Sequence, residues 1–162
     1  TPARKGVEGI RRYLKANPPP TLHHKAMLLW AQSLGVEDLL SQEQTTNTMD
    51  SLFQLQKHDG GWALATLGNW KREDGSAQDL ESSDGYATGF VLYVLRRCGV
   101  AADDPRIQRG VDWLTHHQRT SGRWFTRSLH KDSKHYISHA GTAFAVMALA
   151  ECGRPAAVGS KP

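Results

Sequence analysis

The sequence predicts an all-α fold of paired inner and outer helices, and three observations carry that prediction. Six segments repeat their apolar residues at helical spacing, while almost nothing alternates with the period of two that a strand needs. Alternate segments differ in kind: one is apolar nearly all round and the next keeps a polar face, as inner helices lined by outer ones would. The segments also repeat one another. Aligning Gly35, Gly99 and Gly153 superposes three of them and brings Thr88 onto Thr142, Phe90 onto Phe144 and Cys98 onto Cys152.

In chain order, residues 3–15 form the first outer helix, with Val7, Ile10, Tyr13 and Leu14 in phase and the run Pro18-Pro19-Pro20 to stop it. Residues 22–34, rich in Ala, Leu, Met and Trp, form the first inner helix, closed by Gly35. The second outer helix spans 43–57 and is followed by Gly60-Gly61; the second inner helix spans 84–98 and ends at Gly99. Asp104 as N-cap and Pro105 in the first turn open a third outer helix over 104–117. The last inner helix, 138–152, begins at Ser138 and ends at Gly153.

Composition narrows the class. The chain has 162 residues, 39% of them hydrophobic and 22% charged, with a net charge of +4. That length suits one domain able to bury a core. Five Trp among periodic apolar segments exclude intrinsic disorder, and no apolar run reaches the ~18 residues of a membrane span. Lys and Arg are scattered, the densest clusters being Arg4/Lys5 with Arg11/Arg12, Lys71/Arg72 and Arg96/Arg97, so the charge reads as a solvated surface. No helix-turn-helix, zinc-finger or RNA-binding strand motif points to nucleic acid. Cys98 and Cys152, at equivalent ends of two repeats, read as small buried residues rather than a bridge. The chain opens with Thr1 and no signal peptide, so a soluble piece of something longer is expected, its N-terminal address lost and its compartment unknown.

A second repeat is sharper. Residues 56–62 read QKHDGGW and residues 118–124 read QRTSGRW, both Q-x-x-x-G-x-W. The second copy is led in by Arg109-Gly110 and Trp113-Leu114; the first keeps Leu52, Gln56, Gly60 and Trp62; and Lys5-Gly6-Val7-Glu8 echoes Arg109-Gly110-Val111-Asp112. On these residues the chain resembles the QW-repeat superfamily of squalene-hopene and oxidosqualene cyclases, with a looser likeness to prenyltransferase β subunits. The resemblance implies an α/α toroid, of which three hairpins are about half. It gives Gln56, Gly60, Trp62, Gln118, Gly122 and Trp124 a structural role tying outer helices together. A Gln has both donor and acceptor for free helix-end groups, and a Trp offers a flat surface to pack on them.

The resemblance also places a cavity mouth near the N-terminal ends of the inner helices, and two long connections, 63–83 and 125–137, lead there. Its expected lining is Trp70, Tyr86, Tyr136, His24 and His139. Squalene-type cyclases protonate a polyene from a D-x-D-D-T-A segment; here residues 81–88 read ESSDGYAT, leaving Glu81 and Asp84 as the catalytic acids and Ser83 at the proton-donating position. Ser82, Ser83 and Asp84 are also good helix caps. The prenyltransferase likeness would need zinc, for which Asp84, His139 and His135 are the nearest ligands but no Cys accompanies them, so no cofactor is expected. A carbohydrate-active toroid would use Trp70 and Tyr136 for stacking with Asp79, Glu81 or Asp84 as acid or base. The resulting expectation is a terpene cyclase-like or prenyltransferase-like unit, residues 1–162, acting on or binding an isoprenoid or other apolar molecule. Its alternatives are a non-catalytic binding or assembly toroid and the carbohydrate-active one. Its expected partners are an apolar ligand and further repeats, missing ones or a second chain.

Overall fold

Helices begin where a side chain can satisfy the free N–H groups of a first turn. Thr21 Oγ1 accepts from the His24 N–H at the head of α2 (Leu22–Ser33), and Ser41 and Gln44 close a reciprocal capping box on α3 (Gln42–Gln54). Asp84 Oδ1 accepts from the Ala87 N–H to open α4 (Gly85–Arg97), and Asp104 does the same for α5 (Pro105–His116) through the Arg106 N–H. With α1 (Pro2–Ala16), α6 (Ile137–Glu151) and a 3-10 turn at Leu64–Leu67, these make up the regular structure of the computed structural model, which describes residues 2–133 and 135–153. Among the described residues there is no strand, and the chain is all-α, laid out as helical hairpins of a partial α/α toroid. Residues 1, 134 and 154–162 of the expected unit lie outside the described residues.

The centre of the layer is α4, whose residues from Gly85 to Leu95 are all buried. On one side α6 runs beside it in the same direction at a separation only small residues permit. A Cβ on Gly89 would meet the backbone of Phe144 at 2.7 Å and the Ala145 nitrogen, and one on Gly141 would meet the Tyr86 nitrogen at 2.9 Å. On the other side α2 reaches α4 through rings, Trp30 on Tyr93 and His23 on Tyr86. Outside this layer α3 packs on α2, and α5 packs on α4 and α6. Of the three inner helices, α4 is the one enclosed along its length. It has a neighbour on each side, whereas α2 and α6 leave Met27 (37%) and Val146 (44%) exposed.

The two Q-x-x-x-G-x-W segments are the same tie used twice. The indole N–H of Trp62 donates to the Leu52 carbonyl at 2.7 Å, and that of Trp124 to the Leu114 carbonyl at 2.8 Å, each to an acceptor in the last turn of an outer helix. Thr88 and Thr142 receive the backbone N–H groups of Trp62 and Trp124. The Gln56 amide donates to the carbonyls of Gly60 (2.9 Å) and Arg106 (2.8 Å) and accepts from the Arg109 guanidinium (2.8 Å), joining the end of α3 to α5. Gln118 repeats the inner half of this pattern on Gly122 at 3.1 Å. Gly60 and Gly122 have φ of +91° and +76°, and a Cβ on Gly60 would also press on the Arg109 carbonyl.

Candidate functional site

The two long connections lock together over the N-terminal ends of α4 and α6. Arg72 is the pin: its side chain is buried, its guanidinium pairs with Asp132 at 2.8 Å, and it donates to Ser76 and to the Ser128 carbonyl. Asp132 also takes a bidentate pair from Arg127, both bonds at 2.7 Å, and Gln78 donates to the Leu129 carbonyl at the same length. Arg72 thus corrects the expectation that the Lys71/Arg72 cluster is solvated surface. Between the connections lies a cleft of about 180 Å³, lined by Asp79, Ser82, Ser83, Asp84, Arg127 and Phe125 among others. That is below the ~300–1,000 Å³ common for ligand pockets, so it has room for a small group only.

Asp84 stands at the bottom of this cleft, and its carboxylate is already engaged. Oδ1 accepts from the Ala87 N–H at 2.9 Å and the Thr126 hydroxyl at 3.1 Å, and Oδ2 accepts from the Leu64 N–H. Burial pushes its pKa up to about 6 against the pull of these donors. The next repeat carries Ser138 in the equivalent place, and Ser138 Oγ accepts from the Thr126 N–H at 3.0 Å as Asp84 accepts from Leu64. Leu64 and Thr126 each stand two residues after their repeat's Trp. The bond is therefore part of the repeat, and a serine can make it.

The neighbouring groups are held by partners of their own. Glu81 is exposed and pairs with Lys57 at 3.3 Å. Ser83, expected at the proton-donating position, donates to Asp59 at 2.8 Å, which also accepts from the Trp113 indole. Asp79 accepts from the N–H groups of Glu81 and Ser82, which hold its carboxyl below the usual range.

Between α2, α4 and α6, rings from three helices meet. His23 and Trp30 of α2, Tyr86, Phe90 and Tyr93 of α4, and Phe144 of α6 have centroids 5.0 to 6.4 Å apart, and Phe144 touches Trp30, Tyr86, Phe90 and Tyr93. His23 Nε2 lies 3.0 Å from the Tyr86 hydroxyl, and burial, with His24 beside it, keeps the ring below its usual pKa and so neutral. Trp70, sent in by the first connection, meets His23 edge-on at 5.9 Å.

Of the five expected mouth residues, Trp70 and Tyr86 thus converge on His23, and His24 lies edge-on to it at 6.0 Å. Tyr136 (71%) and His139 are exposed at the start of α6 and have no part in the ring cluster. His23, Trp30, Phe90, Tyr93 and Phe144 were not among the expected site residues. The Phe90 and Phe144 repeat match was the signal that could have found two of them. Among the described residues no three His, Cys, Asp or Glu side chains gather to hold a metal ion, and no helix is long and apolar enough to cross a membrane.

No curated protein matches the chain. A family model does: that of the squalene-hopene cyclase C-terminal domain matches residues 25–151, which takes in both Trp ties, both long connections, the cleft and all of the ring cluster but His23. The hairpin order, the repeated ties and this match agree, and the chain belongs to the squalene-hopene cyclase C-terminal domain family.

Proposed function

We propose that this terpene cyclase-like domain holds an apolar molecule of isoprenoid type against its aromatic inner face, and that Asp84 does not protonate it. The observation that carries the reading is the ring cluster across α2, α4 and α6. Faces and edges of aromatic rings are favourable neighbours for hydrocarbon chains and for any positive charge that develops on them. The engagement of Asp84 supports the second half. A carboxylic acid that protonates an alkene must aim its O–H at the substrate, whereas both oxygens of Asp84 face donors of its own chain.

The test is to titrate the chain with squalene and, separately, with farnesyl and geranylgeranyl diphosphate, following Trp fluorescence and analysing products by mass spectrometry. Saturable binding of at least one probe without product is expected, weakened in a Phe144→Ala variant and retained in folded Asp84→Asn. Turnover that Asp84→Asn abolishes would restore the protonation reading. Absence of saturable binding for every probe would remove the ligand reading.

A further inference from the structure

We infer that the isoprenoid this domain holds is an alcohol, its hydroxyl received by the His23–Tyr86 pair of the ring cluster. This rests on the proposed binding of an isoprenoid and names its chemical class. His23 Nε2 lies 3.0 Å from the Tyr86 hydroxyl, and among the described residues that is the one hydrogen bond either side chain makes. A neutral imidazole has one donor and one acceptor, and a phenol has an O–H and lone pairs. If Tyr86 donates, the His23 Nδ1–H and the lone pairs of the Tyr86 oxygen are left over. If His23 donates, the Tyr86 O–H and His23 Nδ1 are left over. In either tautomer the pair offers a donor and an acceptor side by side. A hydroxyl group can use both, a hydrocarbon neither, and a diphosphate only the donor.

The pair is reachable and uncharged. His23, Trp30, Trp70 and Phe144 are each only partly buried, so the cluster is not sealed from solvent, and Tyr86 keeps 8% of its surface exposed. Burial, with His24 beside it, holds the His23 ring neutral; burial and the nearby charge of Asp84 hold the Tyr86 hydroxyl protonated. An anionic head group would find little to bind at the adjoining helix start. The N–H groups of Gly85, Tyr86 and Ala87 are taken by the Phe125 carbonyl, the Thr126 hydroxyl and the Asp84 carboxylate. Arg72 and Arg127, on the connections above, are engaged by Asp132. The repeat does not call for the pair either. Aligned through Gly35, Gly99 and Gly153, the counterparts of Tyr86 are Leu22 and Ala140, and those of His23 are Ala87 and Gly141. Two polar groups set among rings, where the twin helices are apolar, cost stability unless their remaining valences are met, and a ligand hydroxyl meets them.

The test is to titrate the wild-type chain, Tyr86→Phe and Tyr93→Phe with farnesol, farnesene and farnesyl diphosphate at pH 7, following Trp fluorescence and confirming helicity for each variant. Wild type is expected to bind farnesol about 3- to 10-fold tighter than farnesene, the gain of one net hydrogen bond, and tighter than the diphosphate. In Tyr86→Phe the ratio of farnesol to farnesene affinity is expected to fall to about one, whatever happens to the affinities themselves. Farnesene or the diphosphate binding wild type as tightly as farnesol would overturn the alcohol while leaving an isoprenoid site in place. So would a wild-type ratio in Tyr86→Phe, or a preference lost in Tyr93→Phe instead, which would move the contact two turns along α4. Absence of saturable binding for all three probes and for squalene would remove the ligand site altogether, and the alcohol with it.

Discussion

Replacing Asp84 by Asn asks whether its buried carboxylate is a charge the fold tolerates or one it depends on. The carboxyl titrates near 6 in the folded chain against 3.8 ordinarily. Between roughly pH 4 and 6 the folded state therefore holds a proton that the unfolded state has released, and folding stability from this group falls as pH rises through that window. A rise of about two pKa units corresponds to about 3 kcal/mol between pH 4 and pH 7. Asn cannot titrate. It leaves an amide N–H₂ facing the N–H of Leu64 or of Ala87, a mismatch worth about 1–3 kcal/mol at any pH. Urea denaturation of both proteins at several pH values separates the two effects. The wild type should exceed Asp84→Asn by more at pH 4 than at pH 7, by up to about 3 kcal/mol, and exposed carboxylates common to both cancel in the difference. A difference that is flat, or that grows with pH, would mean the donors from Leu64, Ala87 and Thr126 outweigh burial and hold the group ionised.

Gly89→Ala should destabilise by about 2–3 kcal/mol, because the new methyl meets the backbone of Phe144 and Ala145, which cannot turn aside. The same change at Gly6, where nothing lies within 4 Å, should stabilise by about 0.5–1 kcal/mol; urea midpoints that move in the same direction for both would refute the close-approach argument. Arg72→Met should open the clasp between the two connections at a cost of about 1–3 kcal/mol, read as faster limited proteolysis within 71–83 and 125–133 and a changed Trp70 emission; unchanged cleavage would show that the clasp does not order them.

The fold was legible because its signals are local and repeated. Helical period, glycine stops and two spaced Trp motifs each span a dozen residues or fewer, and the capping residues Ser41, Asp84 and Asp104 act within their own first turns. What was not legible depends on distant partners. Arg72 looks like half of a surface pair until Asp132 and Ser128 arrive from the other connection. Asp84 looks like a free acid until Leu64 and Thr126 fill its oxygens. His23, one residue from the expected His24, points inward because the helical phase of α2 turns it toward Tyr86.

Repetition also separates architecture from specialisation. Where the repeats agree, as at Thr88 and Thr142 or Trp62 and Trp124, the residues make the same bonds and serve the same tie. Asp84 and Ser138 differ in charge yet hold the same loop position, so that shared bond alone does not call for a carboxylate. Tyr86 and Tyr93 are the opposite case. Their counterparts in α6 are Ala140 and Met147, so the repeat is built without a ring at either place. In α4 both tyrosines are buried against His23, Trp30 and Phe144, with the hydroxyl of Tyr86 on His23. Large rings added to one repeat and absent from its twin are not demanded by the tie between hairpins, and it is on them that the proposed ligand reading rests.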